Sequence, residues 1–318
     1  MSVKWGLVST APINRSIIAA ARESERAEVI AVASRDAARG EAYAREHGIE
    51  RAYGSYDALL EDEDVEAVYI SLPNGMHVEW TMRALEAGKH VLCEKPFSRH
   101  SAPVEQAFAT AESEGLVLSE GFMWRHHPQA AQLAKLVADG AIGPLRLVRV
   151  AFSFPLAIER GPEDARFSAE LGGGAMMDLG CYCVNAIRFL AGEPESVSAK
   201  QVIGPTGVDV VFAGTLRHPG DVVSHFDCSF VVPRRSELEV LGEEGSLFVT
   251  TPFVIASPGI ELRRDGEVEQ VAVPSADSYR LELENVSDAI RGETPLLLGR
   301  EDAVGQARTI EALYGAAA

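Results

Sequence analysis

The chain has 318 residues, 47% of them hydrophobic and 24% charged. That length exceeds what one core usually supports, so two domains are expected in an ordinary globular protein. A formal net charge of −18 argues against nucleic-acid partners, because phosphates would be repelled. The charge is read as a solubility feature, with adaptation to high salt as the second reading.

Cys93, Cys181, Cys183 and Cys228 are few for this length. Cys181-x-Cys183 is too tight for a standard zinc pair, so free thiols and no metal are expected. The chain starts almost at once on a strand, with no basic, apolar leader and no stretch long enough to span a membrane. A cytoplasmic protein without a membrane partner is therefore expected.

In chain order, residues 3–9 read as a strand, followed by the glycine-free turn Thr10-Ala11-Pro12 and a helix over 14–21. A second buried strand covers 28–34. A helix over 36–47 follows, with Asp36 as N-cap and Gly48 as its stop. Strands are expected at 49–53, 65–72, 90–94 and 116–119, and helices at 76–86 and 101–114. This alternation implies a doubly wound, mostly parallel sheet, an α/β Rossmann-like domain over 1–121. Beyond it, helices over 127–139 and 175–190, a strand over 145–154 and a run of strands from 196 to about 273 imply an α+β domain over 122–318. Its large sheet is expected to be open and mostly antiparallel. Two helices, 279–291 and 301–314, close the chain, and the last is free to pack back on the first domain. The uncovered sheet face is expected to make a homodimer or homotetramer.

The first turn, Gly6-x-x-Ser9-x-Ala11-x-x-Asn14, places small residues where a dinucleotide fingerprint has glycines. Ser9, Thr10, Ala11 and Ile13 are the candidate pyrophosphate residues at a helix N-terminus; a plain strand–turn–helix is the competing reading. The second strand ends on Ser34-Arg35 rather than on a carboxylate. Those residues suit the 2′-phosphate of NADP, with NAD as the alternative because Asp36 follows. Leu72-Pro73-Asn74-Gly75-Met76-His77 ends the fourth strand, with Leu72, Pro73, Asn74 and His77 expected to face the cofactor crevice.

Glu94-Lys95-Pro96 closes the fifth strand, where α/β sheets bind ligands. Pro96 is expected to fix the turn that aims Lys95 through a cis bond. Gly172-Gly173-Gly174 leads into Asp178-x-Gly180-x-Tyr182-x-x-Asn185. On a helix Asp178 and Tyr182 share a face, and glycines allow close approach of backbone to a ligand. An ammonium such as Lys95 would favour the phenolate of Tyr182; a structural Tyr–Asp hydrogen-bond network is the alternative. Trp124 and Arg125 are candidate pocket-wall residues, as is Arg166 in the irregular loop 158–171, which is expected to set specificity.

Together these motifs resemble the glucose–fructose oxidoreductase/inositol dehydrogenase (Gfo/Idh/MocA) family over essentially the whole chain. Glu94-Lys95-Pro96, Pro73-Asn74-x-x-His77 and Gly172-Gly173-Gly174-x-x-x-Asp178-x-Gly180 look like its three markers. Many members carry His at the position of Tyr182 and Asp at that of Asn185. The Tyr is similar to the branch containing glucose–fructose oxidoreductase, dimeric dihydrodiol dehydrogenase and NADP-dependent xylose dehydrogenase. Phe122-Met123-Trp124-Arg125-x-His127-Pro128 also resembles that branch.

The resemblance implies an NADP-dependent sugar or polyol dehydrogenase of the aldose type, with Lys95, Tyr182 and Asp178 catalytic. Glu94 joins Lys95 beside the cofactor, and Trp124, Arg125, Arg166, Asp178 and Tyr182 bind substrate. Keto-sugar reduction and trans-dihydrodiol oxidation are the alternatives; a non-catalytic NADP-binding sensor or scaffold is the alternative of another class.

Overall fold

The structure, a computed structural model, describes residues 1–156, 161, 163–255 and 257–317. Part of the expected specificity loop, at 158–160 and 162, therefore lies outside the described residues. The chain forms two compact units, Met1–Met123 with Asp277–Val304, and Trp124–Ala276 with Gly305–Ala318.

The first unit holds β1 (Val3–Val8), β2 (Ala27–Ala33), β3 (Arg51–Tyr53), β4 (Ala67–Ile70), β5 (His90–Glu94) and β6 (Leu118–Gly121). All pair in parallel in the order β3-β2-β1-β4-β5-β6. The apolar runs make buried strands because helices cover both faces. These are α1 (Asn14–Arg22), α2 (Ala37–His47), α3 (Tyr56–Leu60), α4 (His77–Glu86) and α5 (Ser101–Ser113). Asp36 caps α2 by accepting from Arg39 N–H at 2.9 Å, and Gly48 stops it at φ 64°. The sequence reading omits α3, a five-residue helix capped by Ser55. Strand order reverses between β1 and β4, which puts the ligand-binding crevice of such sheets at the carboxyl ends of these strands.

The second unit contains α6 (Pro128–Ala138), β7 (Leu145–Ser153), α7 (Cys181–Ala191), β8 (Ser196–Ile203), β9 (Asp209–His218), β10 (Val222–Ser229), β11 (Arg235–Gly242), β12 (Ser246–Val249), β13 (Ile260–Arg264) and β14 (Glu267–Val271). Its sheet runs β14-β13-β12-β11-β7-β10-β9-β8 and is antiparallel except for the parallel pair β7–β10. Alternation buries Val210, Phe212 and Leu216 of β9 and leaves Ala213, Thr215 and Arg217 exposed. The other face carries ion pairs, Arg149–Glu239 at 3.0 Å and Arg235–Asp227 at 2.9 Å.

The helix expected over 175–190 is not one α-helix. Met176–Gly180 is a π-turn, and the α-helix starts at Cys181. Gly180 allows this, since a Cβ there would meet Cys228 Sγ of β10 and Met176 Sδ.

The remaining helices are α8 (Ser278–Ile290) and α9 (Arg300–Ala317). The sequence reading assigns all of 122–318 to one domain, whereas 277–304 returns to the first unit. The reason is packing: Leu283 and Val286 join Trp5, Leu7, Tyr69 and Leu92 in one core, and Trp5 Nε1–H donates to Ser287 Oγ at 3.2 Å. Arg291 adds a pair with Glu66 at 2.7 Å. From Gly305 onward α9 belongs to the second unit, where Gln306 donates to the Cys181 carbonyl at 2.7 Å.

Candidate active site

The turn after β1 is built around Ser9. Its φ of 142° is rare for a residue with a side chain. Hydrogen bonds hold it there. Ser9 Oγ lies 2.7 Å from Ser71 Oγ and accepts from Ala11 N–H at 3.0 Å, while the Ser9 carbonyl accepts from Asn14 Nδ2 at 2.8 Å. Ser71 Oγ donates to Asn14 Oδ1 at 2.6 Å, so the turns after β1 and β4 are tied together. Thr10, Ala11 and Ile13 line this turn half-buried, and α1 has neither a side-chain cap nor an acidic residue in its first turn. The helix dipole there is free to favour an anion.

The role of Ser9 is separable by two variants. Ser9→Ala keeps the φ and loses the hydroxyl bonds, and is expected to destabilise by about 1–3 kcal/mol. Ser9→Gly loses the same bonds without strain and should be milder by about 1–2 kcal/mol. Chemical denaturation of both variants measures the difference.

At the end of β2, Ser34 Oγ accepts from Asp36 N–H at 3.2 Å, and its own proton remains available. Asp36 spends its carboxylate on the cap of α2. Arg35 and Arg39 are exposed, and neither guanidinium makes an ion pair among the described residues. Ser34, Arg35 and Arg39 thus stand close in sequence where β2 hands over to α2. Arg39 is absent from the sequence reading, although it follows Arg35 by only four positions.

His77 does not face the crevice as expected. It is fully buried, with Nδ1 2.9 Å from the Pro96 carbonyl and Nε2 2.7 Å from the Leu72 carbonyl. A neutral ring carries one N–H, so it donates to one of these carbonyls and packs against the other, wedged between the turns after β4 and β5. Burial, the larger effect, and the Lys95 ammonium lower its pKa, while the two carbonyls oppose them; the ring is held below the usual His value.

Within these turns, Leu72 is buried, while Pro73 and the short 3₁₀ turn opened by Asn74 are half-buried. Lys95 is half-buried, and the Lys95–Pro96 bond is cis as expected. Glu94 accepts the hydroxyl of Tyr69, whose ionisation is pushed far up by burial and then by Glu94.

In the second unit Asp178 sits in the π-turn and pairs with Arg166 Nε at 3.2 Å; Arg166 also bonds Asp164 at 3.4 Å. π-turns inside helices occur frequently at functional sites. The glycine run approaches its own chain rather than a ligand. A Cβ on Gly173 would meet the Arg166 carbonyl, and one on Gly174, at φ 124°, would meet the Asp209 carboxylate. Asp209 accepts Met176 N–H at 2.7 Å and Tyr314 O–H at 2.9 Å, which fixes the entry to the π-turn. Sequence reading omits Asp209, which has no local signature.

Tyr182, 7% exposed, stands among Phe152 and Phe253 at ring distances of 5.7 and 5.2 Å. Trp124, the candidate pocket-wall residue, is buried, and its Nε1–H donates to Asn185 Oδ1 at 3.1 Å. Arg125 stacks over Phe189 at 3.9 Å, a cation–π contact.

Residues 3–122 match the family model described as "Oxidoreductase family, NAD-binding Rossmann fold", and residues 130–248 match "GFO/IDH/MocA C-terminal domain". The chain is similar to a D-xylose 1-dehydrogenase (NADP(+)) of Haloferax volcanii, 38% identical over 98% of this chain and 97% of that one. It is also similar to a trans-1,2-dihydrobenzene-1,2-diol dehydrogenase of Bos taurus, 35% identical over 90% and 84%. A solved 3-ketoreductase from Actinomadura kijaniata, in complex with NADP and TDP-benzene, matches with a TM-score of 0.93 at 32% identity, covering 100% of this chain and 98% of that one.

Proposed function

We propose, for a chain that belongs to the GFO/IDH/MocA oxidoreductase family, NADP-dependent hydride transfer at a hydroxyl-bearing carbon of a sugar or polyol. The observation that carries the reading is Lys95 at the carboxyl end of β5, beside turns that the Ser9–Ser71–Asn14 bonds and the wedged His77 ring hold in one arrangement. Such preorganisation is what positional catalysis requires. NADP, when bound, supplies the two-electron hydride acceptor.

The chain's residues do the rest. Ser9, Thr10, Ala11 and Ile13, at the open start of α1, are assigned to the pyrophosphate. Ser34, Arg35 and Arg39 are assigned to the 2′-phosphate. Leu72, Pro73, Asn74 and Glu94 line the nicotinamide side, with His77 as their support. Lys95 polarises the substrate oxygen, and Tyr182 takes the hydroxyl proton as hydride leaves carbon. Asp178 and Arg166 hold substrate hydroxyls, with Arg125 further along the same unit. Aldoses of the xylose or glucose type are favoured by the similarity to the xylose dehydrogenase. The similarities to the diol dehydrogenase and the 3-ketoreductase support trans-dihydrodiol oxidation or keto-sugar reduction as the second reading. A panel of aldoses, diols and keto-sugars, followed by NADPH absorbance in both directions, tests them. NADPH binding without turnover of any of them would leave a sensor or scaffold.

Arg35→Ala and Arg39→Ala are each expected to weaken NADP binding by roughly 10- to 100-fold, the loss of one charge-assisted contact. NAD binding should change by less than about two-fold, because NAD has no 2′-phosphate. Titration with both cofactors checks this, and an equal loss for NAD would refute the assignment.

The reading extends to a cytoplasmic homodimer or homotetramer formed through the open face of the eight-stranded sheet. That face exposes Val223 beside the Arg149–Glu239 and Arg235–Asp227 pairs. Among the described residues no helix is long and apolar enough to cross a membrane. Sedimentation of the purified chain gives the oligomeric state.

A further inference from the structure

Phe253 lies in the connection from β12 to β13 and is 0% exposed. Its ring stands 5.2 Å from that of Tyr182, tilted by 40°, and 5.1 Å from that of Phe152. Phe152 in turn meets Tyr182 edge-on at 5.7 Å. The three rings touch in every pair, so the Tyr182 phenol is held by two neighbours. No local signal marks Phe253, because it lies far from Tyr182 in the chain.

Phe253 is itself held. Trp124 meets it edge-on, at 5.6 Å and 83°, and the Trp124 indole N–H donates to Asn185 Oδ1 at 3.1 Å. Asn185 follows Tyr182 by three positions on α7, which places it one turn on along the same side of the helix. The contacts close a circuit: Tyr182 to Phe253, Phe253 to Trp124, Trp124 to Asn185, and back along α7. The hydrogen bond sets this cluster apart from ordinary packing. Trp124 is 1% exposed and Asn185 0%. Burying a carboxamide costs free energy unless it is hydrogen-bonded, so an apolar core is better off without one. A satisfied polar pair among apolar side chains instead specifies one packing arrangement. Here it specifies where Phe253 stands relative to the helix that carries Tyr182.

That placement bears on the chemistry. A phenol hydroxyl lies at the far end of its side chain, so a small swing of the ring becomes a larger displacement of the oxygen. About 1 Å at a reacting atom is enough to cost on the order of 100-fold in rate. Packing against Phe152 and Phe253 restricts the swing. Aromatic pairs suit the task, because they prefer defined relative orientations that aliphatic contacts lack.

We propose that Phe253, braced by Trp124 and Asn185, is a positioning residue that fixes the Tyr182 hydroxyl for proton transfer without touching cofactor or substrate. The inference rests on the reading given above, in which Tyr182 takes the substrate proton. It gives Trp124 a role that a buried side chain can fill, in place of the pocket wall.

The experiment is a double-mutant cycle on kcat, with NADP and the substrate that the panel selects. Phe253→Leu keeps an apolar side chain and loses the ring. It should lower kcat on the order of 10-fold and leave KM for the substrate and Kd for NADP within about two-fold. Trp124→Phe keeps a ring for Phe253 and loses the bond to Asn185; it should lower kcat by about three-fold. Adding Phe253→Leu to Tyr182→Phe should change kcat no further, because the hydroxyl that Phe253 positions is already gone. A general loosening of the second unit would multiply the two losses instead. Multiplied losses, or wild-type kcat in both Phe253→Leu and Trp124→Phe, overturn the positioning role and leave the dehydrogenase reading intact. Where Phe253→Leu does not fold, Trp124→Phe takes its place in the cycle. A wild type that turns over no substrate, or Tyr182→Phe with wild-type kcat, overturns the reading beneath the inference, and the inference with it.

Discussion

Lys95→Met is expected to lower kcat/KM for the preferred sugar by about 10³-fold or more, while NADP still binds within roughly five-fold of wild type. Methionine keeps the length and apolar stem of lysine and removes only the ammonium. The fold should survive, because Lys95 is half-buried at the edge of its strand and not part of the core. The loss should fall on kcat rather than KM, since the charge is worth most when the hydroxyl oxygen becomes negative in the transition state. Lys95→Arg should rescue little: a planar guanidinium cannot occupy the place of a compact ammonium. Tyr182→Phe should lose a similar amount and retain its packing against Phe152 and Phe253. Single-turnover kinetics separates these losses from slow product release. Wild-type rates in both variants would remove Lys95 and Tyr182 from the chemistry.

The first unit was legible because its signals are local. The apolar run His90–Glu94 becomes β5 with the expected boundaries, and Asp36 and Gly48 end α2 as their residue types dictate. The position of Lys95 was legible for the same reason: a charged residue at the end of a buried strand, before a proline. The failures have a common cause, which is that they depend on partners far away in the chain. Nothing local says that His77 is buried with its ring nitrogens set against two carbonyls, one of them 19 residues on. Nothing local tells the parallel β7–β10 pair from its antiparallel neighbours. The glycine run was read as room for a ligand, whereas the room is taken by the Arg166 carbonyl and the Asp209 carboxylate. Helix α8 looks like any amphipathic helix, and only the structure shows that it closes the first unit and carries Glu282 into its interior.

Asp209 is where a distant partner should have a large effect. Its carboxylate, 3% exposed, accepts the Met176 N–H at 2.7 Å and the Tyr314 O–H at 2.9 Å. Asp209→Ala removes both of these charge-assisted contacts inside the second unit, at a cost of about 3–5 kcal/mol. The melting temperature should fall by roughly 10 °C. The damage also reaches Asp178, two residues after Met176 in the π-turn. A displacement there of about one ångström is enough to reduce turnover on the order of 100-fold. Asp209→Asn should be milder on both measures: its amide oxygen still accepts from Met176, and the Tyr314 hydroxyl can turn to accept from the amide. Tyr314→Phe deletes only the second contact and should cost about 1 kcal/mol, with turnover nearly intact. Melting and steady-state kinetics of the three variants give a graded series. If Asp209→Ala melts and turns over like wild type, the carboxylate does not hold the π-turn.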